Sequence, residues 1–165
     1  MNKSTRLHAA VLALAAITPV AALAGPPLPF TATLRTQETL GLDPGRCTSA
    51  PFLQGTTAGS GVASYLGAIS GTSTDCISPA DGSYNFSNGH MVLTAANGDT
   101  LTADYSGSML PTVNYPVFSL SGSYRITGGT GRYVGATGTG TLQGATNIVS
   151  GAGAYTLTGQ IAIAR

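Results

Sequence analysis

The chain has 165 residues, of which only 8% are charged, with seven Lys and Arg against six Asp and Glu. So sparse a charge leaves no cationic cluster for nucleic acid, because phosphate binding needs several neighbouring Lys or Arg side chains. Disorder is excluded as well, since the low net charge accompanies regularly spaced Val, Leu, Ile and Tyr.

Met1 to Ala24 carries the three zones of a cleavable secretory signal peptide. Lys3 and Arg6 supply positive charge, Ala9 to Leu23 is apolar, and Ala22-Leu23-Ala24 offers small residues before Gly25. A transmembrane anchor fits less well: Thr18-Pro19 interrupts the run, which is shorter than the roughly 20 residues a bilayer requires. No Cys follows the small residues, so a lipid anchor finds no acceptor. Cleavage after Ala24 predicts an exported chain, periplasmic or secreted, of 141 residues. That is one domain's worth. It keeps five arginines against six acids and no lysine, which gives no polybasic patch for a membrane surface.

Residues 25–29, Gly-Pro-Pro-Leu-Pro, read as an exposed leader, because proline fixes φ and removes a donor. Phe30 to Thr36 alternates Phe30, Ala32 and Leu34 with Thr31, Thr33 and Arg35, the period of a strand with one buried face. From Gly41 to Ala80 the chain is rich in Gly, Ser, Thr and Pro, and only Val62 to Ile69 reads as a strand. Cys47 and Cys76 both lie in this exported part, where an oxidising compartment predicts a disulfide. It would close about 29 residues, which the chain-entropy account values at on the order of 3.5 kcal/mol. Two Cys and one His fall short of a zinc set, so no metal is expected.

Beyond Ala80 the pattern is regular. Tyr84 to Phe86 is a short strand. His90 to Ala96 turns Met91, Leu93 and Ala95 inward, and Leu101 to Tyr105 turns Leu101, Ala103 and Tyr105 inward. Asn97-Gly98 between them predicts a hairpin with a type I′ turn. Val117 to Ile126 places Phe118, Leu120, Tyr124 and Ile126 on one face and Ser119, Ser121, Ser123 and Arg125 on the other. Gly128 to Gly131 is a tight turn, Gly135 to Ile148 a Thr- and Gly-rich strand region, and Tyr155 to Ile163 a last strand. No helix of useful length is predicted. About eight short strands fit a sandwich or an up-and-down barrel. Gly122, Gly138, Gly140 and Gly159 inside strands favour a sharply curled sheet. The expectation is therefore all-β: a single-domain, eight-stranded antiparallel barrel after a cleaved signal peptide.

Three stretches together resemble the bacterial members of the allene oxide cyclase-like barrel group, whose wider superfamily includes plant dirigent proteins. They are Ala95 to Leu101 with Tyr105-Ser106-Gly107, then Gly128-Gly129-Thr130-Gly131-Arg132-Tyr133 running on to Gly138, and finally Leu157-Thr158-Gly159. Ser64-Tyr65-Leu66-Gly67 aligns where the group often carries Ser or Thr, His, Leu and Gly, and Tyr65 departs from that pattern. The resemblance covers Phe30 to the C-terminus. It implies an eight-stranded antiparallel barrel with an interior that can hold a hydrophobic small molecule, and it does not fix a reaction. No stretch matches the plant cyclase's catalytic positions.

The glycines of Gly129 to Gly135 are neither a P-loop, which needs Lys and Ser or Thr, nor a dinucleotide fingerprint, which needs a βαβ unit. They read as turn glycines, with Arg132 over a neighbouring ring or carboxylate, and no cofactor is expected. His90 reads as a turn residue, Asp99 as a cap of the Asn-Gly turn, and Asp104 and Arg125 as a solvated face. Tyr65, Tyr105, Tyr124 and Tyr155 are the candidate cavity-lining residues, since tyrosine gives an apolar wall with one polar tip. No Ser-His-Asp set can be argued, and six dispersed acids offer no carboxylate pair. The expected function is binding of a small hydrophobic ligand in the barrel. The alternatives are a cofactor-free isomerase, cyclase or coupling-guiding enzyme, and a surface structural or interaction module. An outer-membrane barrel is disfavoured by the absence of Trp and of aromatic girdles.

Overall fold

A computed structural model describes residues 25–164, so the segment read as a signal peptide lies outside the described residues. Eight antiparallel strands close into a barrel in chain order: β1 (Leu28–Leu42), β2 (Leu53–Ala63), β3 (Gly67–Ala80), β4 (Ser83–Ala95), β5 (Thr100–Pro111), β6 (Val117–Gly129), β7 (Thr137–Asn147) and β8 (Ala152–Ala162). A short 3-10 turn, Gly131–Tyr133, is the only helical element among the described residues. Closure comes from β1, which pairs with β2 on one side and β8 on the other, so the sheet has no free edge.

The predicted apolar phases hold where the residues are large. Phe30, Ala32 and Leu34 on β1 are buried, as are Met91 and Leu93 on β4, Leu101 and Ala103 on β5, Tyr124 and Ile126 on β6, and Leu157 and Ile161 on β8. Full burial of each such Phe, Leu or Ile side chain contributes about 1.5–3 kcal/mol.

Four expectations are corrected. The leader is shorter than residues 25–29, because Leu28 and Pro29 already pair with Ile161 and Gln160 of β8. Proline is tolerated there since β2 first pairs with β1 at Ala32, which leaves Pro29 no second neighbour. Val62 to Ile69 is not one strand but the end of β2, a turn at Ser64 to Leu66 and the start of β3, two long strands in a stretch that reads as loop. Their Ser, Thr and Gly residues carry little apolar signal, and ladder pairing on both sides compensates for low propensity. Tyr84 to Phe86 and His90 to Ala95 form one strand, broken in phase by a bulge between Phe86 and Gly89, with Asn88 at φ 51°. The Asn97-Gly98 hairpin is present with a different turn. Ala95 accepts from the N–H of Gly98, and Ala95 N–H donates to Asp99 O, which makes a three-residue loop with only Gly98 left-handed, at φ 89°.

The two ends of the barrel differ. Tyr133 plugs the end formed by the β2–β3, β4–β5 and β6–β7 connections; it is buried and its hydroxyl donates to Tyr65 O at 2.7 Å. The Gly129 to Gly135 segment is thus a structural cap, with Gly131 and Gly135 at φ 54° and 70°. Arg132 meets Asp99 through its backbone N–H, at 3.3 Å. The interior columns turn polar towards the opposite end, as on β1, where Phe30, Ala32 and Leu34 give way to Thr36 and Glu38.

Glycine sets where large side chains cross the interior. The Tyr124 phenol lies over β7 and β8, and a Cβ at Gly140 would stand 2.6 Å from its Oη as well as against Thr158 O. Gly140→Ala is therefore expected to cost about 1–3 kcal/mol through overpacking. Gly41→Ala, with nothing within 4 Å of the new methyl, should stay within about 0.5 kcal/mol of the parent. Urea midpoints of the two variants check this, and equal midpoints would refute it.

Candidate functional site

The polar half of the interior is a site built on two carboxyl groups. Glu38 continues the inward phase of β1, and Asp75 continues that of β3 after Ile69, Gly71 and Ser73. The register sets Asp75 opposite Gly55 of β2. A Cβ at Gly55 would lie 2.5 Å from Glu38 Oε1 and 2.7 Å from Asp75 Oδ1, so the missing methyl is the space into which both oxygens converge. The two oxygens are therefore no further apart than these distances together, about 5.2 Å. The expectation that the acids are dispersed without a pair is overturned here.

Asp75 is almost fully buried, at 7% exposure. Its Oδ2 accepts from the Tyr105 hydroxyl at 2.7 Å, and its Oδ1 has no hydrogen-bond partner among the described residues. Burial raises its pKa, opposed by the Tyr105 hydrogen bond and the Arg46 charge. Glu38 is pushed up to about 7, by burial first and by the Asp75 charge second. Tyr155 is raised to about 12 by burial and by Asp75, and Tyr105 is raised for the same two leading reasons.

Arg46 is held beside this pair by the β1–β2 connection. Asp43 Oδ1 accepts the N–H groups of Gly45 and Arg46 at 3.1 and 3.0 Å, folding a tight turn. The Cys47–Cys76 disulfide then pins that turn to β3, as the cysteine count predicts. The β3–β4 register shifts between Thr74 and Cys76, and Arg46 Nη2 takes Thr74 O at 3.2 Å and also Asn88 O. Arg46 Nη1 is buried without an acceptor among the described residues.

Around the carboxyls lies a cavity of about 50 Å³, walled by Ile77, Phe86, Met91, Met109 and Leu142 and edged by Thr146 and Tyr155. It adjoins a mouth cavity of about 400 Å³, and Glu38, Ile77 and Met109 line both. The mouth is within the size range of small-molecule sites. Exposed apolar side chains stand at this end of the barrel, including Leu40, Leu42, Leu110, Val113, Tyr115 and Val149.

The four candidate tyrosines part company. Tyr105 and Tyr155 line the cavity. Tyr124 is buried away from it, edge-on to Phe30 at 6.3 Å, with its hydroxyl unpartnered and raised to about 12 by burial. Tyr65 sits on the exposed β2–β3 turn at the plugged end, at φ 66°, and its hydroxyl donates to Pro29 O at 3.0 Å. Its place in the turn, outside the interior, removes it from the cavity-lining set. His90, Asp104 and Arg125 are cross-strand neighbours on the outer face. His90 Nδ1 is 3.1 Å and Arg125 Nη2 is 3.5 Å from Asp104, a solvated group of the kind that contributes little.

The fold and site together define a closed antiparallel barrel with one plugged end and one open, carboxylate-bearing end. No family model, curated protein or solved structure matches the chain.

Proposed function

We propose that this chain is an exported barrel protein of the allene oxide cyclase-like type that binds a small hydrophobic molecule through the open end of the barrel. The observation that carries this reading is the mouth cavity of about 400 Å³ continuing into an apolar-walled interior that ends on Tyr105, Tyr155 and the carboxyl pair. The exposed Leu and Val side chains at that end offer an apolar path for such a molecule. Export rests on the Met1 to Ala24 pattern, and the disulfide is in keeping with it.

The uncharged dye N-phenyl-1-naphthylamine is expected to bind saturably with enhanced fluorescence. Thr57→Phe, which places a ring in the deep cavity lined by Thr57, should weaken binding at least tenfold while circular dichroism still reports a cooperative fold. Absence of saturable binding to the parent protein would refute the reading.

A cofactor-free isomerase or cyclase is the second reading, favoured by one observation: a carboxyl poised at about 7 in an apolar cavity is matched to proton transfer at neutral pH. Incubation with unsaturated and epoxide-bearing lipids should then change product identity, and Glu38→Gln should abolish the change.

A further inference from the structure

We infer that the site selects a cation: the ligand is an amphiphile whose primary ammonium group lies between Glu38 and Asp75, with its apolar body running out along Ile77 and Met109 to the mouth. The inference rests on the ligand-binding reading above and names the chemistry of the ligand's polar end.

Three observations converge on it. Asp75 Oδ1 is an acceptor buried without a partner and lies at the cavity wall, so a ligand that donates there removes the cost of leaving it unmade. The two facing oxygens are within about 5.2 Å of each other. One nitrogen donating to both at the usual charge-assisted lengths spans up to about 5.8 Å. An ammonium has three N–H donors, enough for both carboxylates and one cavity hydroxyl such as that of Tyr155.

Charge balance decides the sign of the ligand. Two carboxyls face one guanidinium, that of Arg46, while Arg35, Arg125 and Arg132 are exposed and no lysine exists among the described residues. The ion pairs within 4 Å among the described residues both belong to Asp104 on the outer face. One negative charge in the barrel thus has no counterpart when both acids ionise. A fatty-acid carboxylate would add a third negative group, and a neutral alcohol would leave the imbalance as it is. An ammonium cancels it. In the empty barrel a proton does the same, which accords with the upward shift of both acids.

Glu38 faces Asp75 from β3, and Asp75 in turn meets Tyr105 from β5, Tyr155 from β8 and Arg46 from the β1–β2 connection. Ammonium binding near neutral pH must therefore displace a proton that the raised carboxyls hold. Calorimetry at pH 6 in two buffers of different ionisation heat should show proton release on binding decylammonium and none on binding decanol.

The deciding experiment compares decylammonium, decanol and decanoate, each below its micelle concentration, as competitors of N-phenyl-1-naphthylamine at pH 8 and pH 5.5. Decylammonium should bind at least tenfold more tightly than decanol at pH 8, with the preference collapsing at pH 5.5 and decanoate weakest at pH 8. Glu38→Gln should remove most of the preference for decylammonium over decanol, while circular dichroism still reports a cooperative fold. Equal affinity for the amine and the alcohol would overturn the ammonium inference and leave the hydrophobic-ligand reading standing. Failure of the parent protein to bind the dye or any competitor would overturn both.

Discussion

Glu38→Gln is expected to stabilise the empty protein by up to about 3 kcal/mol above pH 7 and to flatten its pH dependence. The Glu38 carboxyl rises from 4.5 to about 7 in the barrel because burial, and then the Asp75 charge, penalises the ionised form. Between those values the folded chain holds a proton that the unfolded chain has released, so stability falls as pH rises through the window and levels off above it. At about 1.4 kcal/mol per pH unit, the shift corresponds to the effect stated. Glutamine keeps the shape and removes the charge. Asp75 shifts in the same direction, against the Tyr105 hydrogen bond and Arg46, so a shallower slope persists in the variant. Urea midpoints from pH 4.5 to 8.5 provide the measurement. A parent protein whose stability is flat or rising from pH 5 to 8 would contradict the buried-pair description.

A stabilising change at a residue with no structural bond to lose is what a site kept for function produces. No hydrogen bond offsets the upward shift of Glu38, and Asp75 Oδ1 has no partner among the described residues, yet both turn inward in a chain that has few acids to place. Decylammonium should reverse the effect of pH on stability, since a ligand that binds only the folded, ionised pair raises the midpoint at pH 8 and not at pH 5.

The barrel was legible wherever inward positions are large. Phe118, Tyr124 and Ile126 on β6, or Met91 and Leu93 on β4, mark their face by alternation alone. It was illegible on β2 and β3, where the inward column runs through Gly59, Gly61 and Gly71 and the outward one through Ser and Thr, so neither face stands out. The same masking hid the site. Asp75 follows Ile69, Gly71 and Ser73 at even spacing, and Ile77 closes the column, but the signal is two isoleucines eight residues apart. Glu38 was nearer to reach: extending the β1 phase two steps past Leu34 would have put an acid on the inner face. What no single sequence carries is the register that brings β1 and β3 together across Gly55, because that depends on all the pairings around the closed sheet. The change of phase between Phe86 and Met91, which split β4 into two strands on reading, is itself the trace of the bulge.

Removing the Cys47–Cys76 bridge, by reduction or by a Cys47→Ala/Cys76→Ala double variant, is expected to cost about 3.5 kcal/mol from the chain-entropy relation. The bridge spans 29 residues that include the second part of the β1–β2 connection, the whole of β2 and β3 as far as Cys76. Such a loss lowers the thermal midpoint on the order of 10 °C in a domain of this size. Only part of the bridge's role is stability. Cys47 is buried next to Arg46, and Cys76 is the neighbour of Asp75, so the same bond fixes the guanidinium beside the acid it partly neutralises. Without that tether Arg46 keeps only its contacts with Thr74 O and Asn88 O. The pair then has less positive charge near it, its ionisation costs more, and the fall of stability with pH steepens. The two effects separate cleanly, because loss of chain entropy is independent of pH while loss of Arg46 is not. A double variant whose deficit is the same at pH 5 and pH 8 would leave the bridge a purely structural clamp. A deficit that grows with pH ties it to the site.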